Sequence, residues 1–154
     1  MAIKVAFIGA GSVGFTRKLV RDVLKVPELQ DTHFAFHDIN PDNLEMVAEL
    51  CRKDISANHL PASITSHRER LAALEDAEYV INCTRIGGLD AFELDIEIPL
   101  KYGIDQCVGD TIAPGGIMYG QRNVPQILAF QKDMRRVAAD GCLFPTRRSR
   151  NQTG

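Results

Sequence analysis

The chain has 154 residues, 45% of them hydrophobic and 25% charged, ordinary proportions for a soluble globular protein with room for one domain and a sizeable core. A formal net charge of −2 argues against nucleic acid or an anionic membrane as the main partner. No apolar run approaches the ~18 residues of a membrane span, and Cys51, Cys83, Cys107 and Cys142 stand singly, as reduced and mostly buried thiols of a cytoplasmic protein would.

The N-terminus opens with Ile3-Lys4-Val5-Ala6-Phe7-Ile8, apolar and β-branched as a strand buried on both faces, rather than as a signal peptide. Gly9-Ala10-Gly11-Ser12-Val13-Gly14 follows. Beyond it Val13, Thr16, Val20, Val23 and Leu24 recur at helical spacing, so the period changes from two to 3.6 across the glycines. Strand, G-x-G-x-x-G and helix together make the dinucleotide-binding fingerprint. Gly9 is expected to make the sharp turn, Gly11 to let a pyrophosphate approach, and Gly14 to let helix and strand pack closely. The helix N-terminus, with Ser12 and Val13, turns unpaired N–H groups and a positive dipole toward the phosphates.

A second strand, Thr32 to His37, delivers Asp38 at its end, 24 residues past Gly14 where the pattern asks for about 20. A carboxylate there accepts both hydroxyls of the adenosine ribose and repels a 2′-phosphate, so the expected cofactor is NAD rather than NADP. Asn40-Pro41 reads as a helix start, with Asn as cap and Pro at the first helical position. Leu44, Val47, Ala48, Cys51 and Ile55 form the apolar stripe of that helix, to about Asn58. A short third strand is expected over Ala62–Ser66, a helix over Arg68–Leu74 and a fourth strand over Glu78–Cys83. The alternation implies an α/β, Rossmann-type doubly wound parallel sheet, extended outward from the first strand.

Ligands of such sheets sit beyond the carboxyl ends of the strands, where the winding reverses. That places Asn82 and Thr84 near the nicotinamide half, followed by Arg85-Ile86-Gly87-Gly88. A helix is expected from about Ala91 to Tyr102. A longer one follows from about Gly116 to Ala139, with Ile117, Val124, Ile127, Leu128, Met134 and Ala138 on its apolar side. Gly141 to Phe144 begins a fifth strand that Pro145 ends. His33, His37, His59 and His67 share no metal-like spacing with a cysteine or carboxylate and read as packing or surface residues. The final ten residues carry Arg147, Arg148 and Arg150 and no acid, whereas residues 1–144 hold 15 basic and 20 acidic side chains. The composition breaks at one point.

Several blocks carry a specific likeness: Gly9-Ala10-Gly11-Ser12, Asp38-Ile39-Asn40-Pro41, Arg85-Ile86-Gly87-Gly88, Glu97 to Gly103, and Gly109-Asp110-Thr111 with Pro114-Gly115-Gly116-Ile117. Through them the sequence, from about residue 3 to 144, resembles the NAD- and metal-dependent glycosidases of glycoside hydrolase family four, nearest the α-galactosidase branch. The resemblance implies hydrolysis of O-glycosyl bonds through transient oxidation at sugar C3. NAD takes the hydride, a base removes the C2 proton, the aglycone is eliminated, water adds and the hydride returns. A divalent metal, usually manganese, polarises the C3 oxygen. It also implies a homo-oligomeric full-length form and a small glycoside as partner.

Members acting on 6-phosphorylated sugars carry an arginine where Phe92 stands and tend to read Gly-Gln-Glu at Gly109-Asp110-Thr111, so an unphosphorylated glycoside is expected. Arg85, Asp110 and Arg122 are the candidates for the sugar-facing wall. The family's substrate block and its metal and base residues follow the fifth strand, and no position of this chain matches them. The reading is therefore an NAD-binding domain over 1–144, truncated after the start of its fifth strand, with a basic tail over 145–154 outside the family pattern. The catalytic metal domain is expected to be absent from this chain, no residue is assigned to catalysis or to metal binding, and the chain by itself is expected to be inactive. Two other readings remain: a non-catalytic nucleotide-binding or assembly module, and the NAD domain of a 2-hydroxy-acid dehydrogenase. The second would need a catalytic histidine and a substrate arginine in a later domain.

Overall fold

A computed structural model describes residues 2–106 and 112–145. In chain order the elements are β1 (Lys4–Ile8), α1 (Val13–Leu24), β2 (His33–His37), α2 (Pro41–Ala57), β3 (Ser63–His67), α3 (Arg70–Leu74), β4 (Tyr79–Asn82), α4 (Gly88–Lys101), α5 (Pro114–Val137) and β5 (Cys142–Pro145). A single 3-10 turn, Pro27–Leu29, joins α1 to β2. All strand pairs are parallel, in the order β3-β2-β1-β4-β5. This is the doubly wound order expected from the sequence, with β1 at the centre and the winding reversed between β1 and β4.

The described residues divide into two compact units, one within 2–84 and 133–145, the other within 85–106 and 112–132. In the first, alternation sets the two faces of the sheet. Val5 and Phe7 of β1 and Phe34 and Phe36 of β2 pack with Val20 and Leu24 of α1 and with Leu44, Val47, Ala48, Cys51 and Ile55 of α2. Phe7 meets Phe34 and Phe36 at 6.2 and 5.4 Å between ring centroids, the second pair edge to face. On the other face Ala6 and Ala35 are fully buried, and Ala73 and Leu74 of α3 are buried with them. Arg17 joins α1 to α2 by a two-pronged bond to Asp54, at 2.6 and 2.7 Å. Arg70 does the same for α3 and Asp133, with its Nε at 2.9 Å.

The α2 start is as read from the sequence. Asn40 Oδ1 accepts from the N–H groups of Asp42 (3.1 Å) and Asn43 (3.0 Å), with Pro41 at the first helical position. Four expectations need correction. The helix placed at Ala91 begins at Gly88, because Gly87 takes the left-handed conformation (φ 84°) and its carbonyl accepts from Ala91 N–H. The double glycine is thus the start of a helix and not a loose turn. β5 includes Pro145, opposite Asn82, instead of ending before it; among the described residues β5 pairs with β4 only, so a missing N–H can be tolerated. Of the stripe expected for α5, Met134 and Ala138, the latter just past the helix end, are buried, but Ile117, Val124 and Leu128 are half-exposed, and Asn123 and Phe130 are buried in addition. Of the three described cysteines only Cys51 is buried. Cys107 and the tail arginines Arg147, Arg148 and Arg150 lie outside the described residues.

Candidate functional site

The fingerprint glycines sit where β1 ends between β2 and β4. His37 C=O accepts from both Gly9 N–H (2.8 Å) and Ala10 N–H (3.0 Å), and Ile8 C=O accepts from Cys83 N–H at 2.7 Å. These bonds turn the chain away from the sheet at its carboxyl edge. Gly9 has φ 86°, and a Cβ there would stand 2.9 Å from the Cys83 carbonyl carbon and from Thr84 N. It is glycine both for the turn and for the close passage of the chain after β4.

Gly11 carries a different constraint. Its N–H donates to Asp38 Oδ2 at 2.7 Å, and an added Cβ would lie 2.8 Å from that oxygen. The other carboxylate oxygen accepts from Asn40 N–H at 2.9 Å. Asp38 is thereby held between the glycine turn and the start of α2, each oxygen retaining a lone pair for a further donor.

Gly14 departs from its expected role. A Cβ there would meet nothing within 4 Å among the described residues, so close packing of helix on strand does not require it. The N-terminus of α1 is instead open. Ser12 makes no side-chain cap, the first turn has no acidic residue, and Val13 is partly exposed. One turn in, Thr16 is fully buried, and its hydroxyl has no partner among the described residues. An uncapped helix start with an orphan hydroxyl beneath it and a glycine turn before it fits the phosphates of a dinucleotide. Thr16 was legible from the sequence only as part of the buried stripe, since its spacing gives no sign of an unmet polar group.

Asn82 is buried, and its Oδ1 accepts from Thr84 N–H (3.0 Å) and Thr84 Oγ1–H (2.8 Å). The pair shapes the exit from β4, in the same unit as the glycine turn. On the far side of that turn His37 is linked to β3 through a bond between Nδ1 and His67 C=O at 3.1 Å. Thr65 Oγ1 bridges His33 Nε2 (3.1 Å) and His67 Nε2 (2.8 Å). Burial lowers the pKa of both His33 and His67, with Lys4 opposing their charge as well.

In the unit formed by residues 85–132, the Arg85 guanidinium lies 4.3 Å from the Phe92 ring centre and 5.6 Å from that of Tyr119. Arg122 holds the buried Asp95 with both terminal nitrogens, Nη1 at 2.8 Å. That carboxylate raises the arginine's pKa, and Arg122 Nε is buried with no partner among the described residues. Asp110 lies outside the described residues. Among the described residues no group of three or more His, Cys, Asp or Glu is placed to hold a metal ion, so no manganese ligands are drawn from them. No described helix is long and apolar enough to cross a membrane.

Comparison with known proteins agrees with this geometry. The chain is 54% identical over 143 residues to an alpha-galactosidase of Rhizobium meliloti (strain 1021), an alignment covering 93% of this chain and 29% of that protein. It is 35% identical over 139 residues to an alpha-galactosidase of Bacillus subtilis (strain 168), covering 89% and 32%. The chain thus spans about a third of the length of these relatives. Among solved structures, the 6-phospho-beta glucosidase of Thermotoga maritima with manganese, NAD+ and glucose-6-phosphate superposes with a TM-score of 0.82 at 26% identity, over 94% of this chain and 33% of that one. Malate dehydrogenase of Cryptosporidium parvum, at 14% identity and a TM-score of 0.61, shares the fold. The family 4 glycosyl hydrolase model matches residues 4–144, and the chain belongs to that family.

Proposed function

We propose that this chain is the NAD-binding part of a glycosidase acting on unphosphorylated α-galactosides. The observation that carries the cofactor reading is Asp38, bonded to Gly11 N–H at the open start of α1. Gly9, Gly11, Ser12, Val13 and Gly14 would hold the pyrophosphate. Asp38 would take the adenosine ribose, and Asn82 and Thr84 the nicotinamide side. When bound, NAD supplies a reversible hydride acceptor for a sugar carbon. This chain's residues bind and orient it: the uncapped start of α1 at Ser12 and Val13 offers N–H groups to the phosphates, and Asp38 disfavours a 2′-phosphate by charge.

Arg85, directly after Thr84 in the chain, is proposed to contact the sugar, and Asp110 is proposed as a second sugar contact. The α-galactoside substrate is supported by the two alpha-galactosidase relatives and by Phe92 under Arg85, since an aromatic ring offers no guanidinium clamp for a sugar phosphate. A cytoplasmic, homo-oligomeric full-length enzyme belongs to the same proposal. Calorimetric titration with NAD and NADP tests it: NAD binds the wild type more tightly, and Asp38→Ala weakens that preference by about 1.5–3 kcal/mol. Equal affinities of the wild type for the two cofactors would refute the assignment of Asp38.

A further inference from the structure

Arg85 owes its place to a set of contacts from two helices. Its guanidinium rests on Phe92 of α4 and Tyr119 of α5. The next residue, Ile86, donates its N–H to Asn123 Oδ1 at 3.4 Å, and Asn123 Nδ2 donates in turn to Tyr119 C=O at 2.8 Å. At Gly87 a Cβ would stand 3.6 Å from Arg122 Nε, so the arginine stem runs along the underside of the segment. Arg122 then reaches Asp95, which is 2% exposed and accepts through both oxygens. The backbone of Asp95 is also engaged, its carbonyl accepting from Gln106 Nε2 at 2.7 Å while Gln106 Oε1 accepts from Gly115 N–H at 3.3 Å.

The two rings that carry the Arg85 cation therefore come from helices that a buried ion pair joins. A carboxylate this deep, left without its partner, cannot stay charged in place, and the helices would have to shift to admit water. A guanidinium also fits where an ammonium does not, because only the planar fork serves both carboxylate oxygens while its stem passes beneath Gly87.

We propose that Asp95 and Arg122 form a positioning clamp that acts through Arg85, with Asn123 as its second tie to the segment. Arg122 thus supports the sugar-facing wall from behind. The consequence for sugar binding rests on the reading of Arg85 as a sugar contact; the clamp itself does not.

The test follows the arginine Nε–Hε resonances of the full chain by NMR, with Arg85 assigned through Arg85→Lys. In the wild type the Arg85 signal is displaced by ring currents from Phe92 and Tyr119. Asp95→Asn and Asn123→Ala each move it toward the positions of the other arginines, and Arg122→Lys, which keeps the charge but not the fork, moves it by an intermediate amount. Titration of the NAD-loaded chain with methyl α-galactoside shows a loss of about tenfold or more in Asp95→Asn, the equivalent of one charge-assisted hydrogen bond. NAD affinity stays unchanged. An unmoved Arg85 resonance and unchanged sugar affinity in folded Asp95→Asn would overturn the proposal. Should that variant not fold, an unmoved resonance in both Asn123→Ala and Arg122→Lys would overturn it equally. Because no position of this chain matches the family's substrate block, the Arg85 resonance judges the clamp whether or not the NAD-loaded wild type binds the sugar.

Discussion

Replacing the three fingerprint glycines by alanine, one at a time, separates three physical roles. At Gly9 the new Cβ must adopt φ 86° and would come within 2.9 Å of main-chain atoms at residues 83 and 84. A left-handed residue with a Cβ costs about 1–2 kcal/mol, and backbone overpacking about 1–3 kcal/mol more, so Gly9→Ala should lose about 2–5 kcal/mol. At Gly11 the obstacle is the Asp38 carboxylate, 2.8 Å away, which can rotate into water. That move sacrifices a charge-assisted bond worth about 1.5–3 kcal/mol, offset by about 0.4–1 kcal/mol from a stiffer unfolded chain, for a net loss of about 0.5–2.5 kcal/mol. At Gly14 nothing described stands within 4 Å and the residue is already helical, so alanine should gain up to about 0.5–1 kcal/mol. Urea unfolding of the chain without NAD measures all three. The same curves at 100 times the NAD dissociation constant should shift the wild type by about 2.7 kcal/mol. Gly14→Ala is expected to keep its gain without NAD and lose part of the NAD shift, since the ligand is the neighbour that a new methyl there would meet. A Gly14→Ala protein destabilised by more than about 1 kcal/mol without NAD, or a Gly9→Ala protein as stable as wild type, would refute this division of roles.

Asn40→Ala removes the acceptor for two N–H groups at the start of α2 and should cost about 1 kcal/mol by chemical denaturation, with little change in NAD affinity. His33 and His67 have lowered pKa values, so between their folded values and the ordinary value of 6.5 the unfolded chain binds more protons than the fold. Their full contribution is present above about pH 6.5 and is lost as the pH falls toward the folded values. The melting temperature should drop between pH 7.5 and 5.5, and the drop should shrink in His33→Asn/His67→Asn. Burial pushes the Cys51 thiol up to about 11, whereas Cys142 is exposed. At pH 8 an alkylating reagent should modify Cys142 well before Cys51, as mass spectrometry of peptides would show.

The order of elements, the buried stripe of α2 and the Asn40 cap could be read directly from residues, because each depends on periodicity or on side chains within one turn. The dinucleotide fingerprint was legible for the same reason, as a local change of period around glycines, followed by an acid at the next strand end. What those glycines do was settled only by tertiary structure. Gly9 and Gly11 are constrained by residues 83–84 and 38, which are distant in sequence, and Gly14 is constrained by none of the described residues. The exposure of Ile117, Val124 and Leu128 in α5, the ion pair between Asp95 and Arg122, and the seat of Arg85 on two rings likewise depend on how helices from different parts of the chain meet. Hydropathy marks which side chains avoid water, but a buried aspartate or an unpartnered Thr16 hydroxyl is defined by its surroundings, and only the folded chain supplies those.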